Sequence, residues 1–215
     1  MRMKDIKILL GKYEEKKDEI KERLREFREV FNDTDERIFA ELAFCLCTPQ
    51  CKATSAWQAI ESLMKNGLLF RGSQNQIRPF LNNVRFANNK VKYIFEARKK
   101  FTVNGTLQIK TFMQSFIDSF ELRNWLAENV NGLGMKEASH FLRNIGFGSE
   151  LAILDIHILK NLKDYGVIEK IPKMLTKKNY LQTEDKMRNF SRSINIPLDE
   201  LDLFFWSEET GFIFK

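Results

Sequence analysis

Residues 130–147 read VNGLGMKEASHFLRNIGF, and the fold turns on how the chain passes through this stretch. The segment before it, ELRNWLAENV (121–130), has helical periodicity, and apolar Met135, Ala138, Leu142 and Ile145 recur at helical spacing after it. Between the two lies Gly132-Leu133-Gly134. Gly132 suits the left-handed conformation that ends a helix near Val130 or Asn131. Gly134 lets the backbone approach another object where the next helix begins. The result is either an ordinary helical corner or an anion clamp, because a helix start presents unpaired N–H groups and partial positive charge. Lys136 falls in the first turn of the second helix, where the macrodipole disfavours an ammonium. If that position is also partly buried, the amine loses its proton more easily and becomes a nucleophile. Lys136, His140 and Arg143 share a face beside the apolar stripe. They form a basic ridge or simply a solvated surface, and spacing alone gives His140 and Arg143 no chemistry.

Outward from this hairpin the chain is helical throughout. Tyr13, Ile20, Leu24, Phe27 and Phe31 follow at spacings of 7, 4, 3 and 4, a single apolar stripe in the N-terminal segment. A second helix starts near Asp33 or Thr34, where Asp33-x-x-Glu36 has the form of a capping box, and stops before Pro49. KATSAWQAIESLMKNG (52–67) predicts a third helix closed by Gly67. Further helices are expected over NNKVKYIFEARKKF, TFMQSFIDSF, ELRNWLAENV, from about Asp155, over TEDKMRNFSRSIN and over PLDELDLFFWSEE. Strand-like alternation is scarce and no repeat period is present, so the fold class is all-α.

The 215 residues suffice for one domain or two small lobes. A net charge of +6 and a sequence pI near 9.2 are compatible with an anionic partner without requiring one. Cys45, Cys47 and Cys51 form no C-x-x-C pair, and His140 and His157 are distant in sequence. A zinc or iron–sulfur site and a disulfide framework are therefore not expected. Cys45 and Cys47 should pack as small apolar side chains in a reducing cell interior. MRMKDIKILLGKYEEKK at the N-terminus lacks the apolar run of a secretion signal, and no segment has the roughly 20 apolar residues of a membrane span. An intracellular protein is the expectation.

Downstream, AILDIHILKNL (152–162) places Asp155 at a helix start. An N-cap aspartate accepts backbone N–H bonds and stays ionised, and most such residues do nothing more. Its spacing from Lys136 across a helical hairpin is what adds a chemical reading.

Taken together, NGLGMKEASHFLRNIGFGSELAILDIHILKNL (131–162) resembles the helix–hairpin–helix signature of the base-excision DNA glycosylase superfamily: a G-h-G-x-K hairpin and a later D-x-H, with lysine and aspartate nineteen positions apart. Asn131 stands where many relatives have proline; the glycines still carry the turn. The missing cysteine quartet separates the chain from the iron–sulfur endonucleases. The C-terminal LFFWSEETGFIFK, with ELAFCLCTPQCKATSAW and VRFANNKVKYI, is similar to the type-2 8-oxoguanine DNA glycosylase/AP lyases, found mainly in archaea. The resemblance implies a two-lobed helical helix–hairpin–helix glycosylase fold over residues 1–215, with about 118–165 holding the hairpin and the catalytic pair. It implies Lys136 as nucleophile and Asp155 as its carboxylate partner. Lys215 is implied in telling 8-oxoguanine from guanine, and Trp206 lies near the extruded base. Gln50 matches a superfamily position implied to enter the space the base leaves. Gly132, Gly134, His140, Arg143, Arg85 and Phe86 are the expected DNA contacts, the last two on weaker grounds. By sequence alone, core packing is the commoner role for Trp206 and Phe86.

The implied partner is duplex DNA containing 8-oxoguanine, acted on by an intracellular, nucleoid-associated monomer without metal or cofactor. The implied reaction is base excision followed by strand cleavage 3′ to the abasic site. Rival readings are a same-fold glycosylase for another lesion, a non-catalytic helix–hairpin–helix DNA-binding module, and a helical scaffold with no DNA role.

Overall fold

In the computed structural model, which describes residues 5–215, the N-terminal stripe becomes one long helix, α1 (Ile6–Val30), capped by the Asp5 side chain on the Lys7 N–H. Met1–Lys4, part of the N-terminal segment read above for a secretion signal, lie outside the described residues. Tyr13, Ile20, Leu24 and Phe27 are buried along α1, while Phe31 sits just past its end, half-buried against Phe147 at 4.5 Å between ring centroids.

The chain continues through α2 (Asp35–Cys47), α3 (Ala53–Lys65), the one-turn helices α4 (Leu68–Arg71) and α5 (Gln74–Ile77), and α6 (Ala87–Lys100). Then come α7 (Ile109–Met113), α8 (Ser119–Asn129), α9 (Met135–Asn144), α10 (Ile156–Asp164), α11 (Lys177–Ser193) and α12 (Leu198–Thr210). The all-α reading holds, with local differences. The cap of α2 lies one residue later than the Asp33-x-x-Glu36 pattern predicted: Thr34 Oγ1 accepts the Arg37 N–H at 3.2 Å, and Asp33 instead accepts the Thr34 N–H at 2.7 Å. TFMQSFIDSF is not one helix. It breaks after Met113, and Asp118 caps a new helix by accepting from Phe120 and Glu121 N–H. The last helical run before the C-terminal one begins at Lys177, earlier than expected, behind a Thr176 cap. A two-stranded antiparallel hairpin, β1 (Thr102–Val103) and β2 (Thr106–Leu107), was not foreseen; Asn104-Gly105, both with positive φ, make its turn.

Two clusters of buried apolar residues hold the helices. One gathers side chains from Val30 through Leu151, including nearly all of α2. Cys45 and Cys47 are wholly buried there, as expected. The other joins the inner face of α1 to Ala152, α10, Tyr180, Met187 and α12. The chain thus passes from the second cluster to the first after α1 and returns after Leu151. Helix α9 lies at this crossing: Ala138, Phe141, Leu142 and Ile145 pack into the first cluster, while Met135 packs against the second. Burial on this scale, at roughly 25 cal/mol per Å² of apolar surface, is the main force fixing where α9 and α10 stand.

Candidate active site

The hairpin is built as its glycines suggested. Val130 ends α8, the Leu133 N–H donates to Val130 O at 3.1 Å, and Gly132 takes φ +93°. A second requirement on Gly132 is steric, since a Cβ there would lie 2.4 Å from Tyr93 Cδ2 on α6. Asn131 Nδ2 also donates to Glu96 Oε2 on the same helix at 3.0 Å. Gly134, with φ −99°, is the N-cap of α9, and its N–H is accepted by Glu137 Oε2 at 3.2 Å. The other oxygen of Glu137 lies 3.0 Å from Lys136 Nζ. This carboxylate explains how a lysine is tolerated at a positive helix end: the acid that the dipole favours stands next to it.

Asp155 opens α10, with Oδ1 accepting the Ile158 N–H at 2.8 Å. The strand-like approach to it is fixed from below. Asp202 Oδ2 accepts the Ile153 N–H at 2.9 Å, and its other oxygen accepts from Arg143 Nη1 at 3.0 Å. Lys136 and Asp155 line one cavity of about 740 Å³, together with Gln50, His140, Arg143, Trp206 and Lys215. That volume is within the roughly 300–1,000 Å³ range of small-molecule sites.

The basic ridge expected from Lys136, His140 and Arg143 does not exist as an exposed surface. Lys136 keeps 28% of its side-chain exposure. His140 and Arg143 are only 7% and 4% exposed, because α2 and α12 pack over that side of α9. Arg143 is committed to Asp202 and lies over the Phe27 ring at 5.4 Å. His140 meets Phe44 edge-on at 5.5 Å. Burial, then the positive charges of Arg143 and Lys136, hold its pKa well below the ordinary histidine value, so the ring is neutral at pH 7. These two residues wall the cavity rather than face a DNA backbone.

Trp206 stands in the wall, edge-on to Phe212 at 5.5 Å. Lys215 lines the cavity too, but its ammonium points away into the protein, paired with Glu41 and 3.3 Å from the Trp57 ring centroid. Burial lowers its pKa against the opposing pull of Glu41. Gln50 is exposed at the rim with φ +56°. Arg85 and Phe86 do not line the cavity. They form a separate exposed turn before α6, with the guanidinium 4.9 Å from the ring. Phe86 is 53% exposed with φ +58°, so the core-packing reading fails for it.

Sequence reasoning missed Glu41, Lys90, Asp202 and Trp57. A charged residue inside an otherwise apolar helical stripe, such as Glu41 in FAELAF, is the signal that marks a buried partner. Among the described residues, no group of three or more His, Cys, Asp or Glu is placed to hold a metal ion, and no helix is long and apolar enough to cross a membrane.

Comparison with known proteins agrees with this architecture. The family model for 8-oxoguanine DNA glycosylase matches residues 20–196. The chain is 48% identical over 204 residues to an 8-oxoguanine DNA glycosylase/AP lyase of Fusobacterium nucleatum, covering 94% of each protein. It is 36% identical over 206 residues to the protein of the same description from Methanocaldococcus jannaschii, covering 95% of each. Among solved structures, the M. jannaschii 8-oxoguanine glycosylase/lyase in complex with 15mer DNA containing 8-oxoguanine superposes with a TM-score of 0.86 at 33% identity, over 97% of this chain and 100% of that one. The 8-oxoguanine DNA glycosylase of Thermotoga maritima gives a TM-score of 0.83 at 31% identity, over 98% and 100%.

Proposed function

The chain belongs to the 8-oxoguanine DNA glycosylase family, and from that premise we propose that it excises 8-oxoguanine from duplex DNA and cuts the strand through a covalent intermediate on Lys136. The observation that carries this reading is the convergence of Lys136 and Asp155 on one cavity of purine-accommodating size.

The target base is inaccessible inside a duplex, so the nucleotide rotates out at a cost of a few kcal/mol. Gly132 and Gly134 with the α9 N–H groups hold a backbone phosphate, which fixes position without reading sequence. The Lys136 amine attacks C1′ of the deoxyribose as the C1′–N9 bond breaks, and the proton shed by the attacking nitrogen goes to the departing base. Positive charge grows on the sugar in this step, and the Asp155 carboxylate, held by its N-cap bond, stabilises it electrostatically. The sugar ring then opens, the C1′–O4′ bond breaking and O4′ taking a proton, to give an iminium. This acidifies the 2′ proton, and loss of that proton expels the 3′ phosphate by β-elimination. This is amine catalysis of the Schiff-base kind.

Selection of the base rests on N7, a donor in 8-oxoguanine and an acceptor in guanine. An acceptor at that point of the site leaves guanine with two acceptors opposed, a mismatch that discriminates strongly when buried. Lys215 and Trp206, both in the cavity wall, are the residues we assign to this end of the site. We read residues 1–215 as one helix–hairpin–helix unit of two lobes, acting as a nucleoid-associated monomer.

Borohydride trapping on duplexes carrying 8-oxoguanine, guanine, thymine glycol or a mismatch tests the reading. Wild-type protein should be trapped preferentially on 8-oxoguanine, and Lys136→Gln on none. Trapping of Lys136→Gln at normal yield removes Lys136 from its role.

A further inference from the structure

Lys90 is only 3% exposed, yet among the described residues no carboxylate pairs with it. Its ammonium on α6 donates to two backbone carbonyls, Cys47 O at 2.5 Å and Pro49 O at 2.8 Å. Burial lowers its pKa, so keeping a cation here has a cost that some structural need offsets.

That need is visible in the four residues it holds. Thr48 O accepts the Cys51 N–H at 3.0 Å, closing a β-turn with Pro49 and Gln50 as its central residues. Proline before a residue of positive φ is the pattern of a type II turn, whose third position ordinarily requires glycine. Here it is Gln50, at φ +56°. Types I and II differ by a flip of the central peptide, and the Pro49 carbonyl belongs to that peptide. A donor fixed on Pro49 O therefore selects between them. Without it, Gln50 relaxes to negative φ, the conformation a side chain prefers, and its amide leaves the cavity rim.

We propose that Lys90 is a positioning residue: its bond to Pro49 O locks the Pro49–Gln50 peptide in the type II orientation and so holds Gln50 at the mouth of the cavity. The same helix indexes this turn to the hairpin. Tyr93 packs under Gly132 and Glu96 binds Asn131, so Lys90, Tyr93 and Glu96, at three-residue intervals along α6, brace both edges of the site. The turn that fills the gap and the turn that grips the backbone are thereby kept at one separation. This inference rests on the proposed function for its consequence in repair, but the lock itself is a property of the free protein.

Lys90→Met tests it at both levels. In the free protein, the Gln50 backbone chemical shifts should move from values of positive φ to those of negative φ while the hairpin 130–136 is unmoved; unchanged shifts at Gln50 overturn the lock whatever the substrate. In repair, excision from an 8-oxoguanine duplex should fall on the order of 10- to 100-fold, the scale of a small misplacement at an active site. Single-stranded DNA with the same lesion needs no gap filled, so its excision should fall far less. In a Gln50→Ala background, Lys90→Met should add little further loss on duplex. Equal losses on the two substrates, or additive losses in the double variant, make Lys90 a fold residue only. If Lys90→Met does not fold, Lys90→Gln, which retains a donor of shorter reach, carries the same comparisons. A wild-type protein inactive on 8-oxoguanine counts against the functional reading, and the Gln50 chemical shifts still decide the lock.

Discussion

Gly132→Ala and Gly134→Ala should behave differently although both lie in one turn. At Gly132 an alanine meets two penalties. Its φ of +93° is disfavoured for an L residue by about 1–2 kcal/mol. Its Cβ would stand 2.4, 2.8 and 3.0 Å from Cδ2, Cγ and Cε2 of Tyr93, so the ring must move. Overpacking of this kind costs about 1–3 kcal/mol. Together the destabilisation is roughly 2–5 kcal/mol, which for a chain of this size lowers Tm by about 4–20 °C. At Gly134, φ is −99° and the new Cβ meets only the flexible Glu137 Oε2, at 3.1 Å. Folding should change by less than about 1 kcal/mol there. The methyl group nonetheless stands where a phosphate approaches the backbone, so duplex affinity should fall. Thermal unfolding and salt-titrated DNA binding on both variants give the comparison. A Gly132→Ala protein with the wild-type Tm, or a Gly134→Ala protein with wild-type affinity, refutes the reasoning for that glycine.

Two further outcomes follow from the site. Asp155→Asn keeps a side-chain oxygen able to accept from the Ile158 N–H but removes the charge, so single-turnover excision should slow on the order of 10²–10³-fold while duplex binding persists; near-normal turnover reduces Asp155 to a helix cap. His140 is neutral in the folded protein because burial and the charges of Arg143 and Lys136 depress its pKa well below 6.5. The unfolded chain binds that proton first as pH falls, so stability is full above pH 6.5 and is lost below it, by up to about 1.4 kcal/mol per pH unit. Asp202, raised to about 7 by burial, acts with the opposite sign over this range, so the readout of denaturant unfolding is a difference. Between pH 7.5 and 5.5, wild type should lose stability relative to His140→Gln with that slope, and parallel curves assign the acid sensitivity elsewhere.

What was legible in the chain depended on whether the deciding forces were local. The Gly132-Leu133-Gly134 turn, the α1 stripe and the Asp155 cap are set by backbone conformation and short-range periodicity, and all three stand where the sequence indicated. On α9 the expected stripe is split, Ala138, Leu142 and Ile145 packing into one cluster and Met135 against the other, while Lys136, His140 and Arg143 do share the cavity side. Periodicity says which residues share a face and not what covers it. His140 and Arg143 are buried because α2 and α12, distant in sequence, arrive on that side. Lys90 was missed for the same reason: in NNKVKYI it reads as one more polar helix residue, and only the arrival of the α2 terminus makes its ammonium useful. The Asn104-Gly105 hairpin has recognisable turn chemistry, but strands of two residues each leave no alternating pattern to read.

The buried thiols of α2 carry a consequence for the proposed action on oxidised guanine. Peroxides attack sulfur as the anion, and desolvation keeps the proton on both groups: Cys45 is raised well above its ordinary pKa and Cys47 to about 12. The conditions that generate substrate therefore find no reactive anion in this helix. Inactivation by that route must wait for α2 to open, which ties endurance under oxidative stress to the integrity of the core.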